Sequence, residues 1–117
     1  MDKTRKKELQ EQYKDYHPPM GLLVIRNRQD GRFALMSSQN LPGSMNSVRF
    51  QLNLGSYPNQ ALQRAWQAQG QEQFIFEIVE ELSYDEDDEG RDYRPDLQVL
   101  EELYWAGLSE EEQGKRY

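Results

Sequence analysis

The sequence predicts an α+β sandwich. A small three-stranded sheet, antiparallel or mixed, carries helices on its faces in the order α-β-β-α-α-β-α. Three observations carry this expectation. Residues 22–25 (Leu-Leu-Val-Ile) and 33–36 (Phe-Ala-Leu-Met) are short apolar runs joined by a loop that ends in Asp30-Gly31. Residues 73–82 form a third run rich in strand formers. Stretches with helical spacing and helix punctuation fill the remainder.

The elements follow in order. Residues 2–16 read as a polar helix, with Leu9, Tyr13 and Tyr16 at i, i+4 and i+7 and a cluster of Lys3, Arg5, Lys6 and Lys7 near its start. Pro18-Pro19 stops it. The two apolar runs then form a β-hairpin, because Asp-Gly supplies the positive φ of a tight reversal. Neither run alternates with polar residues, which predicts strands covered on both faces. Leu41-Pro42-Gly43 reads as a turn. A helix follows over 44–53, with Ser44 as cap and Met45, Val48 and Leu52 on its apolar face. Gly55-Ser56 ends it. Asn59 caps the next helix, which places Leu62, Ala65 and Trp66 on one side and stops at Gly70. In the third strand Phe74, Phe76 and Ile78 share one face, and Ile75 and Val79 the other. The last helix begins near Pro95 and turns Leu97, Leu100, Tyr104 and Leu108 inward. The closing Gly-Lys-Arg-Tyr reads as a short tail.

At 117 residues the chain is one domain, large enough for one modest core. It divides into an N-terminal helix over 1–17 and the sandwich over 18–117. There is no cysteine, so disulfides and Cys-based zinc sites are excluded. The single histidine, His17, excludes a His-cluster metal site and reads as an exposed loop residue in Tyr16-His17-Pro18-Pro19. No apolar stretch is long enough to span a bilayer, and no secretory signal opens the chain. The expectation is a soluble, cytoplasmic protein.

Charge is unevenly placed. Residues 1–64 hold ten Lys/Arg against five Asp/Glu; residues 65–117 hold four against sixteen. A net charge of −7 opposes strong binding to nucleic acid, whose affinity rests on Lys and Arg. The acidic run at 85–89 lacks the alternating ligands and distal Glu of a calcium loop. It reads as a solvated segment that could engage a basic protein.

The hairpin, Gly21-Leu22-Leu23 and Ala34-Leu35-Met36, resembles the two name motifs of the GIY-YIG endonuclease superfamily. The resemblance includes Asn27 and Gly31 in the turn and Ser37-Ser38-Gln39-Asn40-Leu41 after it. It continues through Arg49-Phe50-Gln51-Leu52, Gly55-Ser56-Tyr57-Pro58-Asn59, Leu62-Gln63-Arg64-Ala65-Trp66, Phe74-Ile75-Phe76-Glu77-Ile78 and Leu100-Glu101-Glu102-Leu103-Tyr104-Trp105, and so covers about residues 18–108. The chain is similar to small bacterial members. The resemblance implies magnesium-dependent phosphodiester hydrolysis by two hairpin tyrosines, a helix arginine and histidine, and a carboxylate on the last helix. Tyrosine serves to orient or deprotonate water, arginine to stabilise charge on phosphorus, and the carboxylate to hold the metal.

Carried over residue by residue, that chemistry is missing. The tyrosine positions hold Leu23 and Ala34, the glycine of the second motif is Met36, the arginine position is Ser44 and the histidine position is Val48. Glu101, with Glu102 beside it, keeps the metal position, and one carboxylate alone holds magnesium weakly. No cofactor is expected. The expectation is a degenerate GIY-YIG domain without catalysis, retained for binding or interaction. Two alternatives stand beside it: a magnesium-dependent endonuclease whose site is rebuilt from Arg26, Arg32 or Arg49 near Glu101, and an acidic protein-interaction module. The residues leave the partner unknown: a protein, or nucleic acid held weakly, is compatible with them, and no membrane is implied.

Overall fold

Leu22, Leu23, Val24 and Ile25 have no solvent exposure, as an apolar run without polar alternation requires. They lie on β1 (Met20–Asn27), the central strand of a three-stranded sheet ordered β2-β1-β3. The computed structural model describes residues 17–88 and 90–117; the helix expected over 2–16 lies outside them. The other elements are β2 (Phe33–Ser38), α1 (Leu41–Leu54), α2 (Gln60–Gln69), a 3-10 turn (Gln71–Gln73), β3 (Phe74–Leu82), α3 (Arg94–Gly107) and the short α4 (Glu110–Gln113). Both neighbours of β1 run antiparallel to it, so the sheet is antiparallel throughout.

Strand alternation sends odd and even residues of β1 to different layers. Leu23 and Ile25 meet α1 and α2 through Val48, Leu52, Leu62 and Trp66, with Ala34 and Phe74 in the same cluster. Leu22 and Val24 join Phe33 and Leu35 beneath α3, against Leu100, Tyr104 and Trp105. Fully burying each of these aliphatic side chains contributes about 1.5–3 kcal/mol. The faces of β3 are as the alternation predicts: Phe76 packs on the first cluster and Val79 on the second. A register shift between Leu22 and Leu23, which pair with Glu80 and Ile78, leaves Val79 as the extra residue. Beside this bulge the β3 backbone crowds Gly21. A Cβ there would stand 2.0 Å from the Glu80 carbonyl oxygen, so the position admits only glycine.

Two local expectations are corrected. Helix α1 starts at Leu41, not Ser44. Asn40 is the cap, its side-chain oxygen accepting from the Gly43 N–H at 3.0 Å. Leu41-Pro42-Gly43 is therefore the first helical turn, where proline's missing N–H has no intrahelical partner to lose. The second correction concerns the C-terminus. Ser109 opens α4 with a capping box, and the chain then runs beside β2. The Phe33 N–H donates to the Lys115 carbonyl at 3.0 Å and the Tyr117 N–H to the Phe33 carbonyl at 2.7 Å. Arg116 donates to the Leu35 carbonyl and lies over the Trp105 ring. The tail closes an edge of the sheet.

Asn27, fully buried, ties this tail to the rest. Its amide nitrogen donates to Gln69 at 2.8 Å and to the Tyr117 hydroxyl at 3.0 Å, while its oxygen accepts from the Gln29 N–H. The hairpin turn, the end of α2 and the tail thus share one side chain. No helix among the described residues is long and apolar enough to cross a membrane.

Two predictions follow from these contacts. Gly21→Ala forces β3 to move and should destabilise the fold by roughly 1–3 kcal/mol; an unchanged urea midpoint would contradict the close approach. Asn27→Ala strands the Gln69 and Tyr117 oxygens and should cost about 1–3 kcal/mol, with faster amide exchange at residues 115–117 as its local signature.

Candidate functional site

The hairpin positions come first. Leu23 pairs with Met36 and Ala34 with Ile25 in the β1–β2 ladder. Leu23 is 0% and Ala34 7% exposed, and both belong to the cluster under α1 and α2. Neither side chain meets a groove. Met36, half-buried, packs at the margin of that cluster.

Helix α1 carries the next two. Val48 is buried in the same cluster, joined to Leu23 and Ala34 through the apolar interior. Ser44 and Ser38 share a hydrogen bond at 2.5 Å. Ser38 also accepts from the Asn40 N–H at 3.0 Å, so Ser44 braces the entry to its own helix. Beside these residues lies an open cleft of about 460 Å³ between β2, α1 and the loop leading to α2. Met36, Val48 and Pro58 line its apolar side; Ser37, Ser44, Ser47, Gln51, Tyr57 and Asn59 supply hydroxyl and amide groups. No charged residue among the described ones lines it. Burial pushes the Tyr57 phenol above its ordinary pKa. It stays protonated at neutral pH and serves as a hydrogen-bonding group, not as a base.

Glu101 is elsewhere. It is half-buried on α3, the helix packed on the opposite face of the sheet, and it does not line the cleft. Glu102 is exposed and accepts a long hydrogen bond from Gln98. The described residues contain no group of three or more His, Cys, Asp or Glu placed to hold a metal. A hard cation such as magnesium takes oxygen ligands that include carboxylates, and the cleft offers none. The residues present do not fit that ion.

The three arginines named for a rebuilt site are held apart. Arg26 pairs with Glu77 at 3.6 Å and lies over Phe33. Arg32 lies over Tyr117 and Arg49 over Phe76, 4.5 and 4.6 Å from the ring centroids. No ion pair among the described residues joins any of them to Glu101. Arg49 sits one position beyond Val48, about 100° around the helix, and stacks on the sheet instead of entering the cleft.

His17 is exposed and stacks on Tyr84 at 4.4 Å. In the acidic loop, Asp85, Glu86, Asp87 and Asp88 are exposed. Arg91 fastens the loop to α3 through Asp96 at 2.8 Å, with Asp85 at 3.9 Å. Arg94 hydrogen-bonds Asp92 and holds its carboxyl down at about 2.

Sequence reasoning missed the cleft as a cleft. Tyr57, Pro58 and Asn59 are consecutive, and Ser44, Ser47 and Gln51 recur at three- and four-residue spacing on one flank of α1. That polar stripe was the available signal.

No family model matches the chain, and no curated protein does. Among solved structures, the catalytic domain of the homing endonuclease I-TevI aligns over 83% of this chain and 96% of that domain, with TM-score 0.65 at 18% identity. A mutant form of the same catalytic domain aligns over 59% of this chain and 70% of that one, with TM-score 0.53 at 23% identity. Identities this low establish likeness of fold alone. In its antiparallel sheet and its flanking helices, the chain has a GIY-YIG-like α+β fold.

Proposed function

We propose that this chain is a GIY-YIG-like domain that does not hydrolyse phosphodiesters and serves as a binding or interaction module. One observation carries the reading: Leu23, Ala34 and Val48, which stand at the family's reactive positions, form part of one buried apolar cluster, with Val48 at its margin against the cleft. Hydrolysis of a phosphate ester calls for a group that activates water, a cation against the developing charge and, in this family, a metal. The cleft beside the cluster offers neutral hydroxyls, amides and a protonated phenol. Loss of one charge-stabilising donor costs roughly 10²–10³ in rate, and here both tyrosine positions, the arginine position and the histidine position are replaced together, with Glu101 alone retained.

A neutral cleft also lacks the countercharge that holds a phosphate backbone. Nucleic acid is therefore at most a weak partner of this module, and a protein is the partner favoured by the acidic C-terminal half.

The purified chain should leave supercoiled and linear DNA intact, and RNA as well, with magnesium or manganese present. Robust cleavage that vanishes in Glu101→Ala would overturn the reading. Restoring a phenol should not restore activity. Leu23→Tyr overfills a closed core and should destabilise the protein by about 1–3 kcal/mol, and Leu23→Tyr/Ala34→Tyr should remain inactive in the same cleavage assay. A stable double variant with magnesium-dependent nicking would show that the rest of the site is present after all.

A further inference from the structure

The two edges of the sheet are finished differently. Along β2 the tail supplies a parallel bridge from Phe33 to Arg116 and hydrogen bonds on both sides of it. Along β3 nothing comparable occurs among the described residues. Among the described residues the strand pairs only with β1, and the backbone of residues 75–82 makes no hydrogen bond to any of them outside that ladder. An edge of this kind presents unpaired N–H and C=O groups, a ready template for another strand.

Apolar side chains flank that edge on both faces. Ile75 and Ile78 are each 40% exposed, and the strand's alternation places them on opposite sides of the sheet. Proline and lysine, two common protections of an exposed edge, are absent from Phe74–Leu82. The charges present are all negative: Glu77, already paired with Arg26, and the exposed Glu80 and Glu81. The field extends further, since the chain between Arg64 and Arg91 contains no Lys or Arg and nine Asp or Glu.

We propose that the open edge of β3 is a strand-addition site for an extended segment of a basic partner protein. Backbone hydrogen bonds to residues 75–82 supply the main-chain recognition. Lys or Arg side chains of the segment meet Glu80 and Glu81, and its apolar side chains rest on Ile75 and Ile78. The charges choose among occupants. A second copy would bring another all-negative strand to the same edge, and like charges on neighbouring strands are destabilising. Nucleic acid is repelled by the same field. A basic strand gains from it, both in steering and in register. The proposal does not depend on whether the cleft is catalytic, because β3's outer edge contributes nothing to the cleft.

The full chain is titrated with a short synthetic peptide alternating Lys-Lys with Ile-Ile pairs, which presents both residue types on each face of a strand, with the same peptide carrying Glu for Lys, and with a Lys peptide whose alternate backbone amides are N-methylated. The Lys peptide should bind and slow amide exchange within residues 75–82. The Glu peptide and the N-methylated peptide should not. Glu80→Lys/Glu81→Lys should weaken binding by about tenfold or more, as expected if two charge contacts are lost. Should that variant fail to fold, the N-methylated peptide decides on the native chain. Equal binding of the N-methylated peptide would overturn strand addition. So would binding that survives Glu80→Lys/Glu81→Lys but disappears when Asp85, Glu86, Asp87 and Asp88 become Asn, which would assign the contact to the loop. A dimer in sedimentation without peptide, dispersed by Ile78→Lys, would give the edge to a second copy and overturn the basic partner. Absence of binding by all three peptides would do the same.

Discussion

Burial of β1 on both faces is the constraint from which the other features descend. Four consecutive residues, Leu22 to Ile25, have no contact with solvent. A strand can reach that state only if it is central and if each face of the sheet is roofed. The helical pair α1 and α2 roofs one face through Trp66, Leu62 and Val48; α3 roofs the other through Leu100 and Tyr104. The close passage of β3 over Gly21 belongs to the same arrangement, because the outer strand must follow the central one past a bulge. Neighbouring backbones then leave no room for a side chain.

The same burial bears on chemistry. A reactive group on β1 or β2 acts only if its side chain reaches a groove. Here the odd residues of β1 are sealed beneath α1 and α2, and the cleft begins only at Met36 and the polar flank of α1. Packing and reactivity compete for the same positions, and at Leu23 and Ala34 packing has won. What remains accessible is neutral: serine hydroxyls, two amides and a phenol whose proton burial retains. The carboxylate at Glu101 is attached to the helix on the other face, outside the cleft's lining. Arginines that could have supplied charge are spent on aromatic faces, where such contacts contribute about 0.5–1 kcal/mol at exposed sites.

The sheet's borders show a second division of labour. Residues 115–117 bond to β2, and Asn27 locks Tyr117 to the hairpin and to α2. That side closes the fold. The β3 side carries glutamates, two half-exposed isoleucines and backbone that no other described residue pairs, and the acidic loop continues from it. A closed, braced border and an open, charged one on the same small sheet are a reasonable physical basis for separating stability from interaction.

How much of this was legible in the residues depends on the range of the forces involved. The hairpin, the caps at Asn59 and Gly70, the inward face of α3 and the exposure of His17 all rest on neighbours a few positions away, and the sequence alone determined them. It also determined that Leu23, Ala34, Ser44 and Val48 carry no acid, base or cation. Local reading failed at Leu41-Pro42-Gly43, where turn residues open a helix because Asn40 caps it while the Ser44 hydroxyl is held by Ser38. It failed more deeply at the C-terminus, since nothing within Gly-Lys-Arg-Tyr announces a partner as distant in sequence as Phe33. Tertiary structure alone decided that the tail closes β2, that Glu101 and the cleft belong to different layers, and that β3 is an edge strand among the described residues. Each is a relation between segments far apart in the chain, which no pattern of near neighbours encodes.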